Sequence, residues 1–245
     1  MPDKTNNILS SLNNEQQSAA KHFEGPALVL AGPGSGKTRV LTHRIAHLIK
    51  EKSVMPYEIM AITFTNKAAE EMRERVKSII GEDSPNWVGT FHSTCAKILR
   101  IDGKNIGIEK NFNIYDTSDS VNLIKELMEK QKIDPKQINP NKILSLIESA
   151  KQKLVSENEY PNYAKGVLQE ITAKIYKQYQ KKLTEVNSLD FGDLIYKTVE
   201  LLKNNEEAQN KYNNTFRFLL VDEYQDTNQS QYILSQLLSK KYNNI

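Results

Sequence analysis

ALVLAGPGSGKTRVLTHRIAHLIK, residues 27–50, is the stretch on which the reading of the fold turns. Ala27 to Ala31 form an apolar run of strand character, and from Thr38 to Lys50 the apolar residues recur at helical spacing. Between them AGPGSGKT, Ala31 to Thr38, supplies glycines that permit dihedrals and close approaches a side chain would block. Strand, glycine-rich loop and helix form one α/β unit, and the pattern repeats. IMAITF (59–64) reads as a buried strand, and NKAAEEMRERVKSII (66–80) as a helix opened by Asn66 and closed by Gly81. A third strand, NWVGTF (86–91), leads into HSTCAKILR (92–100). Strands alternating with helices of this length predict a parallel sheet covered on both faces.

Between about Asn105 and Val186 the pattern changes to helix signals, with one short strand piece near Ile114. Thr117 is placed to cap a helix through VNLIKELMEK, and Asn139–Pro140 reads as the start of another, with Ile143, Ile147, Ala150 and Leu154 on one face. Pro161 precedes a longer helix whose stripe of Leu168, Ile171, Ile175, Tyr179 and Leu183 reads as core packing. LDFGDLIYKTVELL (189–202) is expected to be helical; strand character then returns in FRFLLVDE (216–223), and a last helix begins near Asn228. The expected organisation is therefore one α/β domain, residues 1–105 plus 187–245, interrupted by an all-helical insertion over 106–186.

Composition bounds the function less tightly. The chain has 245 residues, enough for a substantial core, and 38% apolar with 26% charged residues is ordinary for a globular protein. No apolar run approaches the roughly 20 residues needed to cross a bilayer. MPDKTNNILSSLNNEQQ (1–17) lacks the apolar segment of a secretory signal, and Cys95 has no disulfide partner in the sequence, so a reducing cytoplasm is expected. The net charge of +3 points only weakly to polyanions, because lysines and acids are interspersed.

Two segments carry chemistry. AGPGSGKT, between strand and helix, resembles a Walker A loop, in which backbone amides and the helix N-terminus surround phosphates. Ala31, Gly32, Pro33, Gly34, Ser35 and Gly36 would form the cradle, Lys37 would contact the β- and γ-phosphates, and Thr38 would offer its hydroxyl to Mg2+. Ala31 departs from the strict pattern, which begins with glycine. In LLVDEYQDTN (219–228) an apolar strand delivers two adjacent acids at its C-terminal end, the edge where ligands of parallel sheets gather. There Asp222 would hold the magnesium ion, and Glu223 would orient and deprotonate the water that attacks the γ-phosphate of ATP.

With both segments in view the chain resembles the UvrD/PcrA/Rep group of superfamily 1 DNA helicases. AGPGSGKT, AITFTNKAAEEM (61–72), GTFHSTCAKILR (89–100) and VDEYQDTN (221–228) occur in that order, LNNEQQSAA (12–20) looks like the Q motif, and alanine is common at the position of Ala31. NFNIYD (111–116) and SLDFGDLI (188–195) stand at the edges of the insertion, with Gly192 where an acid is common. The resemblance implies a RecA-like P-loop NTPase sheet with an inserted helical subdomain. It implies that Gln16 reads the adenine edge and that Arg39 packs against the base. Thr63, Phe64 and Asn66, with Thr90, Phe91 and His92, correspond to residues facing single-stranded DNA, Phe64 through its ring. It further implies 3′ to 5′ movement driven by ATP, action on single strands and single-strand/duplex junctions, and a second RecA-like domain that supplies the arginines of hydrolysis. The family's third motif would follow shortly after Ile245. Arginines of that kind contribute roughly 10³ to 10⁵ in rate in related systems, so these 245 residues alone are expected to turn ATP over slowly or not at all. The competing readings are a non-hydrolysing ATP-binding interaction module, the ATPase part of a helicase–nuclease, and a DNA-binding scaffold with a vestigial loop; the intact Lys37, Thr38, Asp222 and Glu223 argue against the last.

Overall fold

A computed structural model of the chain describes residues 8–245. The first seven residues, which open both the segment read as lacking a secretory signal and the expected first domain, lie outside that range. In chain order the elements are α1 (Asn14–Lys21), α2 (Lys37–Lys50), β1 (Ile59–Thr63), α3 (Asn66–Ile80), β2 (Trp87–Thr90) and α4 (Phe91–Asp102). There follow β3 (Asn113–Tyr115), α5 (Thr117–Lys130), α6 (Pro140–Gln152), α7 (Val167–Glu185), β4 (Ser188–Asp190) and α8 (Phe191–Asn204). The last elements are α9 (Glu206–Thr215), β5 (Phe218–Val221) and α10 (Gln229–Ser239). They group into two compact units, one made of the chain up to Thr94 with Glu206–Thr227 and Ser235–Ile245, the other of Cys95–Asn205 with Asn228–Leu234.

The first unit is built on a parallel sheet of order β2-β1-β5, in register at Met60↔Trp87 and Met60↔Leu219. β1, IMAIT, is buried along its whole length, as a central parallel strand covered on both faces must be. Ile45 and Leu48 of α2, Met72 and Val76 of α3, and Phe218 and Leu220 of β5 pack with it. Each such side chain removed from water contributes about 1.5–3 kcal/mol. Thr65, in extended conformation, caps α3 by accepting Ala68 N–H; Asn66, expected as the opener, is the first helical residue. Gly81 ends the helix as expected.

One expected strand is missing. Ala27–Ala31 pairs with no strand of the described sheet, and Leu28, Val29 and Leu30 are 69%, 45% and 85% exposed. An apolar, strand-prone sequence becomes a strand only when a neighbour satisfies its backbone groups, and no strand of the described residues stands beside it.

The second unit is helical around Ile124, Met128, Ile143, Ile147, Ile175, Tyr176, Tyr179 and Leu183, so the stripe predicted on α7 is core, with Leu168 and Ile171 partly buried at its rim. The short strands β3 and β4 pair in parallel at Ile114↔Leu189. Local corrections follow from capping chemistry. Asp116 rather than Thr117 caps α5, its carboxylate accepting Asp119 N–H. α6 ends at Gln152, so Leu154, with φ 59°, is outside the helix. Pro161 sits in a short 3₁₀ turn and α7 starts only after Gly166. The run 189–202 divides into β4 and α8 because Asp190 closes a capping box with Asp193. The helix α9, EEAQNKYNNT, carries too few apolar residues to have announced itself.

Lys151, on α6, is fully buried and its Nζ lies 2.7 Å from Asp190 Oδ2 and 2.8 Å from Asp193 Oδ1. The Tyr179 hydroxyl donates to Asp190 (2.9 Å) and the Gln180 amide to Asp193 (3.1 Å). Gly192 lies against this cluster: a Cβ there would sit 2.9 Å from Lys151 Cδ.

Candidate nucleotide site and nucleic-acid interface

Residues 31–35 form an exposed loop at the start of α2. Gly36 is the N-cap, in the left-handed region at φ 86°, ψ 29°, and brings no side chain to the first amides of the helix. Those amides, at the positive end of the helix dipole and with no acid in the first turn, favour an anion. Gly34 is also left-handed (φ 75°), a conformation that glycine adopts without the Cβ penalty. Ser35 Oγ donates to Gly32 O (2.6 Å), tightening the loop from within. Lys37 Nζ lies 3.4 Å from Ala31 O and 3.5 Å from Gly32 O, folded back over the loop by long, weak bonds that an incoming anion can replace.

Gln16 reaches the loop from α1. Its Oε1 accepts Asn13 N–H (3.0 Å), completing a capping box, while its Nε2 donates to Ser35 O (2.9 Å). Arg39 Nη2 donates to Ser11 O (2.9 Å), and Ser11 Oγ meets His43 Nε2 at 3.2 Å, so the segment before α1 is tied to α2.

Thr38 Oγ1 donates to Asp222 Oδ2 at 3.4 Å, joining the loop to the residue that follows β5. Burial, with the neighbouring Glu223 charge, pushes the Asp222 carboxyl above its ordinary range, while Glu223 N–H (3.1 Å) and Thr38 oppose the shift. Glu223 is left-handed at φ 49°, a strained conformation for a residue with a Cβ, and its Oε2 accepts Gln225 Nε2 at 2.6 Å. Gln225 escaped the reading of the sequence although it stands in the DEYQD string; a glutamine there carries no signal until the 3₁₀ turn 224–226 folds it back onto the acid. Among the described residues no group of three or more His, Cys, Asp or Glu side chains is placed to hold a metal ion. Thr38 and Asp222 therefore stand as two hard oxygen donors.

The second set of residues lies at the same edge of the sheet, where β1 and β2 end in register at Thr63↔Thr90. Thr63 is buried and its hydroxyl donates to Thr65 O (3.1 Å). Thr90 is buried too; its N–H donates to Ser93 Oγ (2.9 Å) and its Oγ1 accepts Ser93 N–H (3.1 Å). Phe91 is in the core, 1% exposed, and its ring meets Phe64 edge-on at 5.7 Å. Phe64 is half-buried, Asn66 exposed and His92 half-buried, with the imidazole held below its ordinary pKa by burial. The structure thus joins Gln16 to the loop and Thr38, at the loop's end, to Asp222 by direct contacts, leaves Arg39 bonded to Ser11, and brings Thr63, Phe64, Thr90 and Phe91 together in a second set. Asn66 and His92 are on the surface of the second set. No helix among the described residues is long and apolar enough to cross a membrane.

Known proteins are similar to this chain in sequence. Residues 12–245 match the family described as the UvrD/REP helicase N-terminal domain. The chain is 48% identical over 242 residues to the ATP-dependent DNA helicase PcrA of Bacillus subtilis, covering 98% of this chain and 33% of that protein. It is 45% identical over 241 residues to the PcrA helicases of Staphylococcus epidermidis and Staphylococcus aureus, again with 98% of this chain and 33% of the relative. The chain therefore spans a third of the length of the curated relatives it matches.

Proposed function

Since this chain belongs to the family of UvrD/REP helicase N-terminal domains, we propose that it is the ATP- and single-stranded-DNA-binding portion of a 3′ to 5′ ATP-dependent DNA helicase serving DNA repair or replication. The observation that carries the reading is the meeting of Thr38 with Asp222, 184 residues apart, which joins a phosphate-type loop to the acid at the end of β5. The donor set suits magnesium: one hydroxyl and one carboxylate leave positions for phosphate and water oxygens. Bound there, the ion would neutralise charge on the β- and γ-phosphate oxygens.

This chain's own groups divide the remaining work. The amides of Gly34 to Thr38 bind phosphates, with Lys37 as a mobile point charge. Gln225 orients Glu223, which accepts the proton of the attacking water. Gln16 exchanges its bond to Ser35 for the adenine edge, and Arg39 packs on the base. Phe64, half-buried, is the ring offered to a DNA base, a contact that contributes about 1–3 kcal/mol whatever the sequence. Asn66 and His92 add polar contacts at single strands and single-strand/duplex junctions, while Thr63, Thr90 and Phe91 hold the turns beneath them. Residues 1–105 plus 187–245 are the RecA-like domain and 106–186 its helical insertion; the pairing of β5 with β1 supports returning the chain to the sheet after the insertion. A second RecA-like domain completes the motor, and the present residues alone bind nucleotide weakly and do not unwind DNA.

The test is ATP hydrolysis by the 245-residue chain and by the longer protein, each with and without single-stranded DNA and each beside Glu223→Gln. DNA-stimulated turnover in the longer protein alone, lost about 10²- to 10⁴-fold in Glu223→Gln, is expected. Full turnover by the short chain would sink the incomplete-motor reading. Nucleotide binding without turnover in either would favour an interaction module.

A further inference from the structure

α1 carries Gln16 but has little of its own to hold it in place. Of its eight residues only Ala20 is buried, and a helix this short is not stable by itself. Its position is therefore set at its ends. At the start Asn13 caps it, and Leu9 and Leu12 pack with Ala20 against Val40 of α2. At the finish the chain leaves the helix at His22, with φ −56° and ψ 123°, without the left-handed turn that commonly closes a helix. Arg44, on α2, meets that end instead. Its Nη1 donates to Ala19 O (3.3 Å) and to His22 O. The guanidinium is 6% exposed, and burial lowers its pKa to about 10, which leaves it charged at neutral pH. Burying a charge is unfavourable unless fixed dipoles answer it, and here the carbonyls at the negative end of α1 do so.

We propose that Arg44 is a positioning residue for adenine recognition: by holding the end of α1 on α2, it sets where Gln16 stands over the loop. α2 starts at the loop, with Gly36 as its N-cap, and reaches Arg44 about 12 Å further along its axis. Gln16 meets Ser35 O at one end of this span, and Ala19 and His22 meet Arg44 at the other, so α1 lies along α2 in the same direction. The Gln16 amide is already oriented. Its Oε1 accepts Asn13 N–H and its Nε2 donates to Ser35 O, which leaves one lone pair and one N–H for a base edge. That pair matches the N6 amine and N7 of adenine, whereas hypoxanthine presents a carbonyl in place of the amine and leaves Oε1 without a donor. A shift of α1 breaks this match while the loop amides, which belong to the start of α2, stay where they are. The role of Arg44 rests on the reading of Gln16 as the adenine contact, and the two fail in different ways.

Calorimetric binding of ADP and of inosine diphosphate to the longer protein separates them. The parent is expected to prefer ADP about 10-fold or more, the worth of the lost amide contact. Arg44→Met is expected to reduce the preference to about 2-fold by weakening ADP, with inosine diphosphate within about 2-fold of the parent. Because Arg44 acts through Gln16, the double variant with Gln16→Ala should bind ADP no more weakly than Gln16→Ala alone. Loss of both diphosphates by one factor would make Arg44 a general support of the fold and overturn the proposal, as would additive losses in the double variant. Arg44→Lys keeps the charge and one carbonyl bond, so it decides the matter if the methionine variant does not fold. It is expected to melt near the parent and to lose about 3-fold of the preference. A preference that disappears in Gln16→Ala but survives intact in Arg44→Lys would sink the role of Arg44 alone. A parent that binds both diphosphates alike would take down the reading of Gln16 and the role of Arg44 together.

Discussion

At Gly36 two constraints meet in one residue. Its φ of 86° lies in the left-handed region, and a Cβ would stand 3.1 Å from Gln16 Nε2, the atom that holds Ser35. Gly36→Ala is therefore expected to cost about 1–2 kcal/mol of stability in urea unfolding. It should weaken nucleotide binding by more than that loss accounts for, because the loop is displaced as well. Equal stability of variant and parent would show that the loop relaxes freely. Glu223 is the opposite case, a residue with a side chain held left-handed where glycine would fit more easily. Such strain persists only when the surroundings impose it, and the bonds to Asp222 and Gln225 are those surroundings.

At the scale of elements the buried charge cluster decides how α6, α7 and α8 are held. Burial opposes the charge of Lys151, yet Asp190 and Asp193 keep it protonated above the ordinary lysine range. Burial likewise opposes Asp190, but Lys151 and the bonds from Asp193 N–H and Tyr179 hold its pKa below the usual value. Asp193 goes the other way, pushed up to about 6 by burial and by the Asp190 charge, against Lys151 and Gln180. Lys151→Met would leave two carboxylates facing each other in the core, with a loss of about 3–5 kcal/mol expected in urea unfolding. A loss under 1 kcal/mol would show that one acid simply takes up a proton at no cost.

The pH dependence of the same cluster has a definite sign. Asp193 binds its proton more tightly in the folded chain than at its ordinary 3.8, so its contribution is full below that value and is lost as pH rises through about 6. Asp190 acts oppositely, its stabilisation present above 3.8 and lost as pH falls through its lower folded value. Between these limits Asp193 dominates the cluster. Unfolding free energy measured from pH 4 to 7 should fall more steeply in the parent than in Asp193→Asn, by at most about 1.4 kcal/mol per pH unit. Parallel curves would place the proton elsewhere.

For the whole molecule, a net charge of +3, with basic and acidic residues interspersed along the chain, gives little overall attraction for a polyanion. On the function proposed above, affinity for single-stranded DNA should therefore rest on a few contacts, with log K falling against log salt by about 0.7 per phosphate neutralised and few phosphates in total. Fluorescence anisotropy at several salt concentrations measures this slope. A slope of several units would reveal a basic track that the chain charge conceals.

How much of this was legible in advance depends on the range of the forces involved. The alternation of apolar strand and amphipathic helix placed β1, α3, β2 and β5, because burying an apolar face is a property written into periodicity. The strings AGPGSGKT and DEYQD were legible because phosphate-type loops and strand-end acids need particular residues at fixed spacing. The helix caps were nearly so: Thr65 and Asp116, each one position before the residue chosen, win because the capping side chain must stand on an extended residue. The sequence determined by itself the parallel α/β unit, the helical character of the middle of the chain and the residues of the loop. Only the tertiary structure decided that Lys151 is buried between two acids, that Gln225 folds onto Glu223, that Phe91 belongs to the core while Phe64 is half-buried, and that Ala27–Ala31 pairs with no strand of the described sheet. The physical reason is that each of these depends on what another segment brings alongside, and a strand, an ion pair or an exposed ring is defined by its neighbour rather than by its own residues.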